Sequence, residues 1–191
     1  MRRICTATLV STTPYSQSRR HETPKTDPKE PPAAWDERTW REHAHVDEKG
    51  RVYIPGMQFK KALDSAAGYL RIKVPSGGQS EFGRLFKAGV LVANNLLLPL
   101  KKKDLVPEAI WADSEGGKGG RGGKQVKRLY PTIQHWEGEV TFVVTDDRIT
   151  NDIFERHLRE AGQFIGIGRW RAENGGMYGR WRVVKIKWTK G

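Results

Sequence analysis

Apolar and β-branched residues alternate with other side chains over residues 2–12, where Ile4, Thr6, Thr8, Val10 and Thr12 share one side; a period of two predicts a strand. The same period returns at Glu137–Thr145 through Val140, Phe142 and Val144. It returns again at Tyr178–Trp188, with Trp181, Val183 and Lys185 on one face and Arg182, Val184, Ile186 and Trp188 on the other. Two stretches carry helical spacing instead. Pro55–Arg71 gathers Leu63, Ala66, Ala67 and Leu70 on one face, with Phe59 a turn earlier and Pro55-Gly56 at the entry. Thr150–Gly162 turns Ile153, Phe154, Leu158 and Ala161 inward and leaves His157 half exposed.

Shorter segments fill in the rest. Trp35–His45 and Glu81–Lys87 predict short helices, Arg51–Ile54 a short strand, and the apolar run Val90–Leu98 one buried strand. Val106–Ala112 and Gln125–Ile133 predict two strands flanking the glycine-rich residues 114–124. From Pro14 to Ala34 the pattern collapses into Ser, Pro, Lys, Glu and Arg, and Pro24, Pro28, Pro31 and Pro32 argue against regular structure. That segment reads as a mobile insertion. The order of elements predicts one α+β domain over 1–191, with a ferredoxin-like or RRM-like βαββαβ core. A β-hairpin "thumb" is inserted in it, and a glycine-rich loop precedes the last strand.

Charge sharpens this picture. The 191 residues carry a formal net charge of +12, which favours a polyanionic partner. The excess is clustered: residues 166–191 hold seven Lys or Arg against Glu173 alone, half of the net charge. Residues 101–128 hold eight against four acids. No run of apolar residues is long enough for a membrane-spanning helix. The amino terminus starts like a signal peptide, but its apolar stretch is short and broken by threonines, so it reads as a strand. The single Cys5 excludes an intramolecular disulfide and a cysteine-rich zinc site, and a reducing, cytoplasmic setting follows.

The most informative segment is 166–181. Gly166, Gly168, Gly175, Gly176 and Gly179 interleave there with Arg169, Trp170, Arg171, Tyr178, Arg180 and Trp181. Glycine lets a backbone approach phosphate and present its N–H groups. Arginine brings charge and forked donors, and Trp170 and Tyr178 bring faces on which bases stack. Gly166-x-Gly168 is not a dinucleotide fingerprint, because a helix precedes it and a strand follows. The alternative is a glycine-rich loop whose tryptophans fill the core.

This loop, between the last helix and the last strand, resembles the carboxy-terminal glycine loop of the RAMP superfamily, the RRM-like proteins that form the backbone of CRISPR effector complexes. Tyr53-Ile54-Pro55-Gly56-Met57-Gln58-Phe59-Lys60-Lys61-Ala62-Leu63 resembles that family's Ile-Pro-Gly-Ser-Ser-Leu-Lys-Gly helix entry, with Met57-Gln58 in place of the two serines and Lys61 in place of the second glycine. The resemblance implies that Gly56, Gln58, Lys60 and Lys61 contact guide-RNA backbone. It also implies that copies stack along single-stranded RNA beside other effector subunits, with a thumb reaching the next copy. Lys118, Arg121 and Lys124 suit the thumb's tip. The same chemistry would serve a single-stranded-DNA-binding protein of this fold, or an inhibitor that mimics a CRISPR subunit.

Catalysis finds less support. Some relatives cut RNA with an aspartate in the loop after the first strand, which points to Asp27 or Asp36. Others use a histidine base, which points to His21 or His43. His43-x-His45 lacks the further ligands a metal needs. No catalytic, metal or cofactor site is assigned.

Overall fold

The computed structural model describes residues 2–75, 77–113 and 125–191. In chain order its elements are β1 (Arg3–Ser11), β2 (Tyr15–Ser16), α1 (Pro32–Thr39), β3 (Arg51–Ile54), α2 (Gly56–Leu70), α3 (Phe82–Gly89), β4 (Val90–Val92), β5 (Leu96–Lys101), β6 (Val106–Asp113), β7 (Gln125–Ile133), β8 (Glu137–Val144), α4 (Asn151–Glu160) and β9 (Trp181–Lys190). Helices and antiparallel sheets are thus mixed in one chain, as expected. The main sheet runs β4-β8-β1-β9, with every neighbouring pair antiparallel. Two smaller sheets run β2-β7-β6 and β3-β5.

Alternation along β1 buries Cys5, Ala7 and Leu9. Their neighbours on the same face are Val140, Phe142 and Val144 of β8, and α2 and α4 pack over them. Phe59 of α2 sits edge-on to Trp136 and Trp181. Phe86 of α3 stacks on Phe154 of α4. Each Phe or Leu fully buried here contributes about 2 kcal/mol by leaving water. Thr150 caps α4 by accepting from the Ile153 N–H.

The structure corrects the sequence reading at four places. Val90–Leu98 is not one strand: it divides at Asn94-Asn95 into β4 and β5, which lie in different sheets. Asn94 holds both the Thr141 N–H (2.8 Å) and the Glu139 carbonyl (3.0 Å), and the Asn95 carbonyl oxygen of the side chain accepts the Gly56 N–H. In β9 the expected single alternation breaks. Leu9 pairs with Val183 and Thr8 with Lys185, so Val184 is an extra residue, and the bulge lets Trp181 and Val183 face the core together with Ile186 and Trp188. His157 is fully buried rather than half exposed, against Phe82 and Phe86.

The Pro14–Ala34 insertion, fourth, takes regular structure at its two ends, in β2 and the start of α1. Tyr15 and Ser16 pair with Ile133 and Thr132 of β7, and Tyr15, Ser16 and Gln17 are buried. Gln17 donates to the Tyr53 carbonyl and accepts the His45 N–H. Further on, Arg38 pairs with Glu30 and the Trp35 indole donates to the Thr23 carbonyl. Pro32 opens α1, where a missing N–H costs nothing.

Candidate nucleic-acid interface

After α4 the chain makes one wide helical turn, Ala161–Ile165, closed by the Gly166 N–H donating to the Ala161 carbonyl. Gly162 allows that turn to press on Trp181, since a Cβ there would lie 2.3 Å from the Trp181 carbonyl oxygen. The loop then folds back on itself and on the first hairpin. Ile167 N–H donates to the Gly179 carbonyl, Arg169 N–H to the Ser16 carbonyl, Tyr178 N–H to the Trp170 carbonyl and Gly179 N–H to the Pro14 carbonyl. Gly166, Gly168, Gly175 and Gly179 all adopt left-handed φ values, between 72° and 77°.

What Gly166, Gly168 and Gly179 approach is protein. A Cβ on Gly168 would lie 2.5 Å from the Tyr15 ring, and one on Gly179 would lie 1.8 Å from the Ile167 carbonyl oxygen. Gly56 is likewise buried, its missing Cβ 2.3 Å from the Asn94 carbonyl oxygen. These glycines build the loop and the helix entry by close packing; the sequence reading had assigned that closeness to phosphate.

The two segments singled out in the sequence meet. Gln58, Lys61, Ala62 and Ser65 of α2 form one wall of a cleft of about 250 Å³, and Ile165–Gly168, Arg171 and Glu173 of the loop form the other, with Ser18 beside them. Spacings of three and four residues put Gln58, Lys61 and Ser65 on one helical face. Lys61 is exposed. Arg171 gives its Nε to Glu173 Oε2 at 2.8 Å. Burial pushes the Glu173 carboxyl upward, but the Arg171 and Ser65 donors outweigh it and hold the group below its ordinary value. Gln58 accepts from the buried Tyr15 hydroxyl at 3.1 Å, which ties this wall to the first hairpin.

Other expected contact residues lie elsewhere. Lys60 is a correction. Its ammonium points into the protein, bonded to Asp64 and to the Phe86 and Lys87 carbonyls at the end of α3, so it does not line the cleft. Arg169 lays its guanidinium over the Tyr130 ring of β7, 3.7 Å from the centroid. Tyr178 donates to Glu108 of β6, and burial with that carboxylate pushes its hydroxyl up to about 12. Trp170 stands edge-on to Tyr178 and is 38% exposed, whereas Trp181 fills the core, so the loop's two tryptophans divide between the two readings. Arg180 joins Arg159 and Arg182 around a separate groove beside β9. Lys118, Arg121 and Lys124 lie outside the described residues.

Ser65, Ser18 and Glu173 were not anticipated. Glu173 had a signal, being the lone acid in the last 26 residues, and Ser65 follows Lys61 by one helical turn. The weaker catalytic candidates have structural partners. Asp27 accepts the Lys29 N–H in an exposed turn, and Asp36 is buried against Arg128 and the Leu129 N–H. His21 stacks on Trp35 and meets His43 edge-on, and His43 packs at a tilt on Tyr130. His45 packs instead on Tyr53. Among the described residues no helix is long and apolar enough to cross a membrane.

The fold and cleft define an α+β chain of antiparallel sheets with a cation-bearing groove between a helix and a glycine-rich loop. Such a fold is found among known structures. Over 99% of its length this chain superposes, at TM-score 0.54 and 15% identity, on a chain from the cryo-EM structure of the Type III-B Cmr-beta bound to cognate target RNA. It spans 61% of that longer chain. Looser likenesses are Cmr6 from Pyrococcus furiosus (TM-score 0.47, 11% identity, 96% of this chain and 99% of that one) and a chain of a CRISPR RNA-guided surveillance complex (0.39, 12%, 97% and 68%). No protein-family model and no curated protein matches the sequence. The resemblance drawn from the Ile54–Lys61 and Gly166–Trp181 segments is therefore met at the level of the fold.

Proposed function

We propose that this chain is an RNA-binding subunit of a CRISPR-type effector, holding single-stranded RNA by its phosphates in the cleft between α2 and the glycine loop. One observation carries the reading. Two segments far apart in sequence, each resembling a motif of the same superfamily, bring Gln58, Lys61 and Arg171 to a single cleft. The strand order β4-β8-β1-β9 with α2 and α4 supports a ferredoxin-like βαββαβ core, with β6–β7 as the inserted thumb. In this reading Lys118, Arg121 and Lys124 extend the basic track along the thumb. Trp170 offers a base a stacking face, and copies assemble along the strand beside other effector subunits.

Phosphate contacts of this kind release counterions, so affinity falls steeply with salt and little with sequence. Fluorescence anisotropy of a labelled single-stranded RNA over a salt series tests this. Lys61→Ala and Arg171→Ala should each weaken binding to every sequence and lower the slope of log affinity against log salt by about 0.7. An unchanged slope would remove the cleft from the reading. A protein that binds neither RNA nor single-stranded DNA at low salt would be a mimic that docks on protein instead.

A further inference from the structure

A carboxylate is an odd occupant for a phosphate site. Glu173 stands in the same 250 Å³ cleft as Lys61 and Arg171, where its charge opposes any polyanion. Holding Arg171 in place needs only a neutral acceptor. A full carboxylate is useful if the ligand brings a donor.

The cleft limits what that donor is. None of its lining residues is aromatic, so it has no face on which a base stacks. Its volume is below that of pockets built for whole drug-sized ligands, and it suits a sugar-phosphate unit. Phosphodiester oxygens only accept. The one donor on the sugar-phosphate chain is the ribose 2′-hydroxyl, which DNA lacks. Arg171 spends its Nε on Glu173, and among the described residues its two terminal nitrogens make no other hydrogen bond, leaving the forked end for a phosphate. A carboxylate has room for about four hydrogen bonds, and Glu173 is exposed enough to take more than those from Arg171 and Ser65.

We propose that Glu173 accepts a hydrogen bond from a ribose 2′-hydroxyl while Lys61 and Arg171 hold the adjoining phosphate, so that this cleft selects RNA over DNA. The inference rests on the phosphate-binding role of the cleft and names its substrate more narrowly. Single strands of one sequence as RNA, DNA and 2′-O-methyl RNA, compared by anisotropy at fixed salt, test it. A hydrogen bond to a charged acceptor predicts RNA bound about tenfold more tightly than DNA. The 2′-O-methyl strand, which keeps the oxygen but loses the proton, should bind like DNA; this arm needs no variant. Glu173→Ala should bring RNA and DNA to within about twofold by strengthening DNA binding. Glu173→Gln, which keeps an acceptor, should retain part of the preference, and Ser65→Ala, which keeps the carboxylate, should retain all of it.

A wild type that binds RNA and DNA alike overturns the inference and leaves phosphate binding standing. So does an RNA preference that Glu173→Ala leaves unchanged, or that Ser65→Ala abolishes equally. A wild type that binds no single strand overturns the proposed function itself.

Discussion

Gly168 and Lys60 show how single residues decide what the cleft is. Gly168 combines a φ of 76° with a missing Cβ that would strike both the Tyr15 ring and the Ser16 carbonyl oxygen. A side chain there opposes conformation and packing at once. Gly168→Ala should lower stability by about 2 kcal/mol or more in urea denaturation. Lys60 and Lys61 are adjacent in the motif, and sequence resemblance treats them alike. One helical step turns them about 100° apart, and only the placement of the α3 carboxy-terminal carbonyls decides which lysine goes inward. That placement is a long-range fact with no local signature. The loop tryptophans pose the same problem: both sit beside arginines, yet Trp181 enters the core because the wide turn at Gly162 presents it a surface.

At the scale of elements, periodicity carried most of the fold. α2 and α4, with their buried faces, were legible because each repeats an apolar position every three or four residues. β1 and β8 were legible by alternation, and β9 was legible as a strand but not in which faces its residues take. The Val90–Leu98 run was misread because apolarity alone does not say where a strand changes sheets. The signal was present in Asn94-Asn95, whose side chains replace ladder hydrogen bonds. The cleft was half legible: its two walls stood out as motifs, but their meeting depends on α2 packing beside the turn after α4. Lys60 belongs to this scale, since it clamps α2 to the end of α3. Lys60→Met should cost about 1–3 kcal/mol by leaving Asp64 and two carbonyls unpaired, and should leave the salt slope of RNA binding where it was. Urea denaturation and the anisotropy series separate those two outcomes.

For the whole molecule, His157 makes stability sensitive to mild acid. His157 donates from Nδ1 to the Ile153 carbonyl, and its Nε2 is buried among aromatic rings with no hydrogen-bond partner among the described residues. Burial holds its pKa below the ordinary 6.5, and burial together with neighbouring charge does the same at His21 and His45. Between the folded and ordinary values the unfolded chain binds protons that the folded chain refuses. Stability is therefore full above about pH 6.5 and falls as the pH drops through the folded values. His157→Phe should flatten that fall, which urea denaturation at a series of pH values would record.

The insertion that looked empty in the sequence has the widest reach. Pro14 and Ser16 hold the glycine loop through Gly179 and Arg169, while Ser16 is also paired to Thr132 of β7. Tyr15, between them, holds Gln58 on the opposite wall of the cleft. Tyr15 and Ser16 are therefore a keystone: among the described residues they join the β2-β7-β6 sheet to both walls of the cleft.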